Sequence, residues 1–318
     1  MANRPQTPAR ALLQRLAPLW RRLAPMLDAV AGALTLALLR AIRLTDRRRT
    51  ADLWGWILRK IGPWVREHRL GRANLMAAFP DKSAAEIEQI LAGVWDNLGR
   101  YGVEFTQIDR LSNADPSRSD DDIVADAATS ALFHELRHDG KPALIFASHL
   151  ANWELPALVA ARHGLDTAVL FRPPNMRAAV DAVLKIRAGC MGTLVATGFD
   201  APVKLMHMLE DNRHVAMLVD QHHVKGVDVT FFGRPCKANP LIAQLARHVD
   251  CPIHGTRIVR RADDKNRFTI EMTPAIVPAR DAQGLIDVAG TMQVITSVIE
   301  GWVREHPEQW LWLHRRWR

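Results

Sequence analysis

One stretch constrains this chain more than any other: Ala143-Leu-Ile-Phe-Ala-Ser-His-Leu-Ala-Asn-Trp-Glu-Leu-Pro156. Ala143 to Ala147 is an unbroken apolar run of strand length, set off by Gly140 and Pro142, and predicts a short buried strand. Asn152 through Ala161 is mostly good helix former. His149 therefore stands where a strand ends, which is where open α/β sheets hold their ligands. Glu154 follows five residues later. In one regular helix, five steps of about 100° set two side chains roughly 140° apart. The pair meets only if His149 lies in the turn before the helix and Glu154 in its first turn. A carboxylate on one ring nitrogen would then leave the other free to take a proton. On spacing alone, a histidine near a glutamate is more often an ordinary polar pair.

The rest of the chain supplies the sheet. From residue 141 strand and helix patterns alternate, which predicts an α/β domain. Thr167–Phe171 reads as a strand leading to Arg172-Pro-Pro and a helix from Asn175 to about Ala188. Ala201 to Asp211 reads as a helix, and His214 to Val219 as a strand ending at Asp220. Val227 to Phe232 is extended, Gly233-Arg-Pro turns, and Pro240 to His248 is helical. Pro252–Arg260 and Arg267–Ile276 can pair as a hairpin, and Val288 to His306 is a long final helix. Upstream, Ser83 begins a helix to Arg100, with Glu86 completing a capping box. His149, Arg172, Asp220 and the first residues of the Phe-Phe-Gly turn thus stand at or near strand ends.

His149-Leu-Ala-Asn-Trp-Glu154 resembles the His-x4-Glu motif of the lipid A biosynthesis acyltransferases, within the wider glycerolipid acyltransferase fold whose usual form is His-x4-Asp. Further segments match in order: Arg72-Ala-Asn-Leu, Ala78-Phe-Pro80, Phe171-Arg-Pro173, Asp220-Gln221, Phe231-Phe-Gly233 and Pro307-Glu-Gln-Trp-Leu-Trp-Leu-His-Arg-Arg-Trp317. The resemblance covers nearly everything after about residue 50, and the ordered set is more specific than any one segment. It implies a largely parallel sheet flanked by helices, and acyl transfer from an acyl-carrier-protein thioester to a hydroxyl of a lipid A precursor. It implies catalytic roles for His149 as base, Glu154 as its orienting partner, Arg187 and Asp220. Asn152, Arg172, Gln221 and Gly233 would contact substrate, and no cofactor or metal is called for. The same motifs leave open another acceptor, a lysophospholipid or a phosphatidylinositol mannoside.

Charge divides the chain in two. Residues 1–50 hold ten arginines against two aspartates, which accounts for the whole net charge of +8. Leu12, Leu13, Leu16, Leu19, Trp20 and Leu23 make a helical stripe, interrupted by Pro18. The run Ala29 to Leu39 is about 17 Å long as a helix, short of the ~30 Å hydrocarbon core. Residues 1–50 thus read as a basic, membrane-associating helical arm, interfacial or a short monotopic anchor at an anionic surface, and with the resemblance residues 51–318 read as the acyltransferase domain. A nucleic-acid partner is the rival for the arginines. Trp54, Trp56 and Trp64 suit a membrane interface or a core equally. Three scattered cysteines fit a reducing, cytosolic side, and the resemblance implies the cytoplasmic face of a bacterial inner membrane. His222-His223 does not read as a metal site, because neighbours on a strand point to opposite faces. No G-x-S-x-G elbow and no glycine-rich phosphate loop are present.

Overall fold

The computed structural model describes residues 30, 32–112, 121–173 and 177–317. Residues 32–43 form helix α1. It is followed by α2 (Arg47–Ile61), α3 (Arg66–Ala78) and α4 (Ala84–Thr106). Next come β1 (Ile123–Ala125), α5 (Ala127–His138), β2 (Leu144–Ala147), α6 (Leu155–Arg162), β3 (Thr167–Phe171), α7 (Arg177–Ala188) and β4 (Thr193–Ala196). The chain continues with α8 (Ala201–Glu210), β5 (His214–Leu218), β6 (His222–Phe231), β7 (Arg234–Ala238), α9 (Leu241–Val249), β8 (Ile253–Arg260), β9 (Phe268–Met272) and α10 (Val288–Glu305).

Seven strands form one sheet in the order β1-β9-β8-β2-β5-β3-β4, and β6 and β7 form a separate hairpin. Within the sheet only β8 and β9 run antiparallel. β2 lies at the centre, parallel to β8 on one side and β5 on the other. Its apolar run has a physical reason: both of its faces are covered. Leu144 and Phe146 pack into a core shared with Met292, Ile295 and Trp302 of α10. Ile145 packs the other way, with Leu136 of α5 and Ala160 of α6. The βα units thus take the form expected for a largely parallel sheet flanked by helices.

Three strands do not stand out in the sequence. β1, β4 and β7 span three to five residues and carry no apolar run long enough to stand out. Helix α4 begins as expected, with Ser83 Oγ accepting from the Glu86 N–H and Glu86 accepting from the Ser83 N–H at 2.8 Å. Helix α6 begins three residues later than expected, at Leu155. The intervening turn contains Ala151 at φ +47°, left-handed backbone that no helix can include.

The amino-terminal expectations divide. The Leu12–Leu23 stripe lies outside the described residues. The boundary expected between residues 50 and 51 falls inside α2. Part of the basic charge is also held by the body. Arg43 pairs with Asp109 at 2.8 Å, Arg47 with Asp122 at 2.7 Å, and Arg48 with Asp122 and Asp264 at 3.0 and 3.2 Å. Trp54 is half-buried against the small core of Ile42, Ala51 and Val103, whereas Trp56 and Trp64 are exposed. No helix among the described residues is long and apolar enough to cross a membrane.

Candidate active site

The parallel register of β2 and β5 builds the site. Ala147 lies opposite Leu218. Two residues beyond each, both chains have left the sheet at the same level, and His149 meets Asp220. His149 Nδ1 lies 2.7 Å from Asp220 Oδ1, and the His149 backbone N–H donates to Asp220 Oδ2 at 2.8 Å. The Trp310 indole N–H donates to the same Oδ2 at 2.7 Å. An acceptor-only carboxylate with three donors around it fixes the tautomer: Nδ1 carries the proton and Nε2 the lone pair. Gln221 matches this arrangement, its side-chain amide nitrogen lying 3.2 Å from His149 Nε2. Burial would raise the Asp220 pKa, but the facing His149 more than offsets it and holds the group below the usual carboxylate range.

Glu154 does something else, and this corrects the expected pairing. At the start of α6 it is buried, and its carboxylate takes a fork from Arg187 of α7, Nε to Oε2 at 3.0 Å and Nη2 to Oε1 at 2.5 Å. Tyr101 of α4 donates its hydroxyl to Glu154 Oε1 at 3.1 Å. Burial and then the Glu154 charge push the Tyr101 pKa well up, so the phenol stays neutral and donates. For Arg187, burial alone would lower the pKa, and the Glu154 carboxylate more than offsets it. The guanidinium also lies within cation–π reach of Phe105 and Phe171. The reason for the correction lies in the turn. Ser148 to Glu154 is a loop and not a helical turn, so the five-residue spacing carries Glu154 toward α4 and α7. Between the two carboxylates lies Trp153, stacked on Tyr101 at 4.0 Å and 5.1 Å from the His149 ring.

Two expected substrate contacts are placed elsewhere. Asn152 is fully buried and donates to Glu104 at 3.0 Å. Glu104 in turn is gripped by Arg260 of β8, and Asn97 donates to the Ala151 carbonyl at 3.1 Å. These bonds lock the strained turn to α4. Gly233 forms the tip of the β6–β7 hairpin with Phe232, both at positive φ (53° and 68°), where a two-residue loop needs left-handed backbone. It does not line the cavity described next. Arg172 does, at the carboxyl end of β3.

A cavity of about 270 Å³ opens beside His149 and runs beneath α6. Gln221, Arg172, Glu154 and Arg187 line it near the strand ends, and most of its other lining is apolar. Small side chains hollow it: Ala147 and Ala216 on the sheet, Ala157 and Ala160 on the helix above. From Phe171 at the mouth to Thr167, β3 descends four residues, about 13 Å.

The residues that reading the chain missed are Tyr101 and the bracing role of Trp310. Trp310 belongs to a tail that crosses the site. The His149 carbonyl accepts from the Leu311 N–H at 3.1 Å, and Ala151 donates to the Gln309 carbonyl at 2.9 Å. The aromatic Pro307–Trp317 segment marked the tail, but nothing in it named its target. Among the described residues, no three His, Cys, Asp or Glu side chains converge as metal ligands would.

A base with an oriented lone pair thus stands at the mouth of an apolar slot. The chain has no match among the curated proteins compared with it. The family model for bacterial lipid A biosynthesis acyltransferases matches residues 20–318, and the chain belongs to that family.

Proposed function

We propose that this acyltransferase moves a fatty acyl chain from an acyl-carrier-protein thioester to a hydroxyl of a lipid A precursor, at the cytoplasmic face of the inner membrane. The observation that carries the reading is the lone pair of His149 Nε2, set by Asp220 and met by the Gln221 amide, at the mouth of the apolar cavity. The acyl chain lies in the cavity with its thioester carbonyl beside His149. The acceptor hydroxyl takes the place at Nε2 that the Gln221 amide holds. As the oxygen attacks the carbonyl carbon, its proton passes to Nε2. The tetrahedral intermediate collapses, the C–S bond breaks, and the imidazolium returns the proton to the leaving thiolate. Asp220 offsets the imidazolium charge throughout and stays ionised. Arg172 at the rim stabilises the oxyanion or holds a substrate phosphate. Arg187, committed to Glu154, fixes the wall beside the thioester.

Membrane contact is supported by the exposed Trp56, Ile61, Trp64 and Val65, which are close in sequence to the exposed Arg59, Lys60 and Arg66. Apolar and aromatic groups beside cations suit an anionic lipid surface, and residues 1–29 of the sequence add five further arginines. One experiment tests both parts. Purified protein is given acyl-carrier-protein thioesters and a lipid A precursor in anionic vesicles. The acylated precursor should form, and the protein should float with the vesicles. Hydrolysis of the thioester without product, or transfer only to lysophospholipid, overturns the reading.

A further inference from the structure

A second cavity lies against the first. Its volume is about 190 Å³, and it sits between α5, α6 and β9. Three residues line both cavities: Phe133, Ile270 and Met272. Ile270 and Met272 are strand residues of β9 and form a continuous floor. Phe133 is the side chain that comes down on this floor from the helix above. Its position is fixed by the turn before it, where Thr129 Oγ1 accepts from the Met272 N–H at 3.2 Å and pins α5 to β9. Phe133 follows four residues later on the same face of the helix. It is half-buried, packs against both apolar clusters on this side of the sheet, and meets the His163 ring edge-on at 6.1 Å. The space behind it is apolar near the sheet, at Ala125, Val159 and Ile270, and reaches the surface beside Ser130, His134 and Arg137. The first cavity approaches Phe133 sideways. From β2, whose chain leads on to His149, to β9 is two strand steps, about 10 Å.

We propose that the Phe133 ring is the partition that limits the length of the acyl chain this protein transfers. The inference rests on the acyl-transfer reading above and adds the residue that sets chain selectivity. A chain that enters beside His149 and turns toward β9 meets the ring. With the ring removed, the two cavities join, and the methyl end of a longer chain passes between α5 and α6 toward solvent. The gain is limited to the apolar part of the second cavity, at Ala125, Val159 and Ile270, and ends where the polar rim begins.

The test uses the full-length protein and a homologous series of acyl-carrier-protein thioesters, shorter and longer than the parent's optimum. Phe133→Ala should move the optimum to longer chains. Each methylene newly buried should raise kcat/KM on those chains about fourfold, while shorter chains are used as before. Phe133→Leu should shift the profile the same way by less, and it carries the test if the alanine variant does not fold. Phe133→Trp should move the optimum to shorter chains. Ala216→Leu serves as the control, because it fills the slot itself and should cut activity on long chains whatever Phe133 does. If Ala216→Leu shortens the profile and no Phe133 variant changes it, the slot stands and the partition is refuted. If neither position changes the profile, the cavity is not the acyl site and the reading beneath the proposal falls with it.

Discussion

Asp220→Asn is the most informative single change, because the hydrogen bonds dictate what the amide must do. Oδ2 of Asp220 accepts two N–H donors, from the His149 backbone and Trp310, and Oδ1 faces His149 Nδ1. An amide has one oxygen to offer. Placed at Oδ2 it keeps both fixed donors, and its NH2 then points at Nδ1. A donor there forces Nδ1 to accept, so the ring proton moves to Nε2. The lone pair that should receive the hydroxyl proton is gone. Loss of a general base removes about 10²–10⁴ in rate, and inverting the tautomer should cost the same. Folding should suffer little beyond one charge-assisted hydrogen bond, about 1.5–3 kcal/mol. The assay is single-turnover acyl transfer at saturating donor, with the unfolding free energy of each variant measured alongside. Combined with His149→Ala, Asp220→Asn should add almost nothing, since both remove one function. Activity within about fivefold of the parent (~1 kcal/mol of barrier), or multiplicative losses in the double variant, would refute the positioning role.

The Glu154–Arg187 pair should behave as structure first. Its side chains are 7% and 15% exposed, so Arg187→Ala leaves a buried carboxylate unpaired and should cost about 3–5 kcal/mol of stability, part of which Arg187→Ala/Glu154→Gln recovers. Glu154→Gln combined with His149→Ala should give multiplicative activity losses, the opposite of the Asp220 result; no further loss in that double variant would put Glu154 back on His149. His314 supplies a pH dependence. Its Nε2 is buried with no hydrogen-bond partner among the described residues, and burial pushes its pKa from 6.5 down to about 4. The unfolded chain therefore binds a proton between those values that the folded chain does not, and stability should fall as pH drops from 6.5 toward 4. Thermal unfolding of His314→Gln should show a shallower fall over that window, and an identical slope would remove His314 as a cause.

What was legible in the chain was what local pattern encodes. The apolar run of β2, the capping box of α4 and the hairpin of β8 and β9 each follow from residues close in sequence. The neighbourhood of β2 does not. Asp220 is 71 residues from His149, and the two meet only because β5 lies beside β2 with Ala147 opposite Leu218. Nothing between those strands announces the adjacency, since β3, α7, β4 and α8 intervene. Asp220 could thus be marked as a strand-end carboxylate without its partner being named. Asn152 shows the same limit from inside the motif: its sequence position does not name Glu104, 48 residues away, to which its buried amide ties the strained turn. At Gly233 the backbone supplies a reason for glycine that the sequence does not show, φ of +68° at a hairpin tip.

The His-x4-Glu spacing therefore carries a different meaning from the one its compactness suggests. Had Glu154 been the partner of His149, one short segment would hold the whole base, and the rest of the fold would only support it. Instead the segment contributes one member to each of two pairs. His149 is completed by β5 and by the carboxyl-terminal tail through Asp220 and Trp310. Glu154 is completed by α7 and α4 through Arg187 and Tyr101. The turn between them can hold only one backbone path, fixed by Ala151 at φ +47° and by Asn152 on Glu104. That path sends the histidine toward the cavity mouth and the glutamate into its wall. A change that relaxes the turn would then disturb base and wall together, although it touches neither side chain. Asn152→Ala is such a change. It unties the turn, leaves Glu104 and Arg260 paired, and should lower turnover with both carboxylates intact.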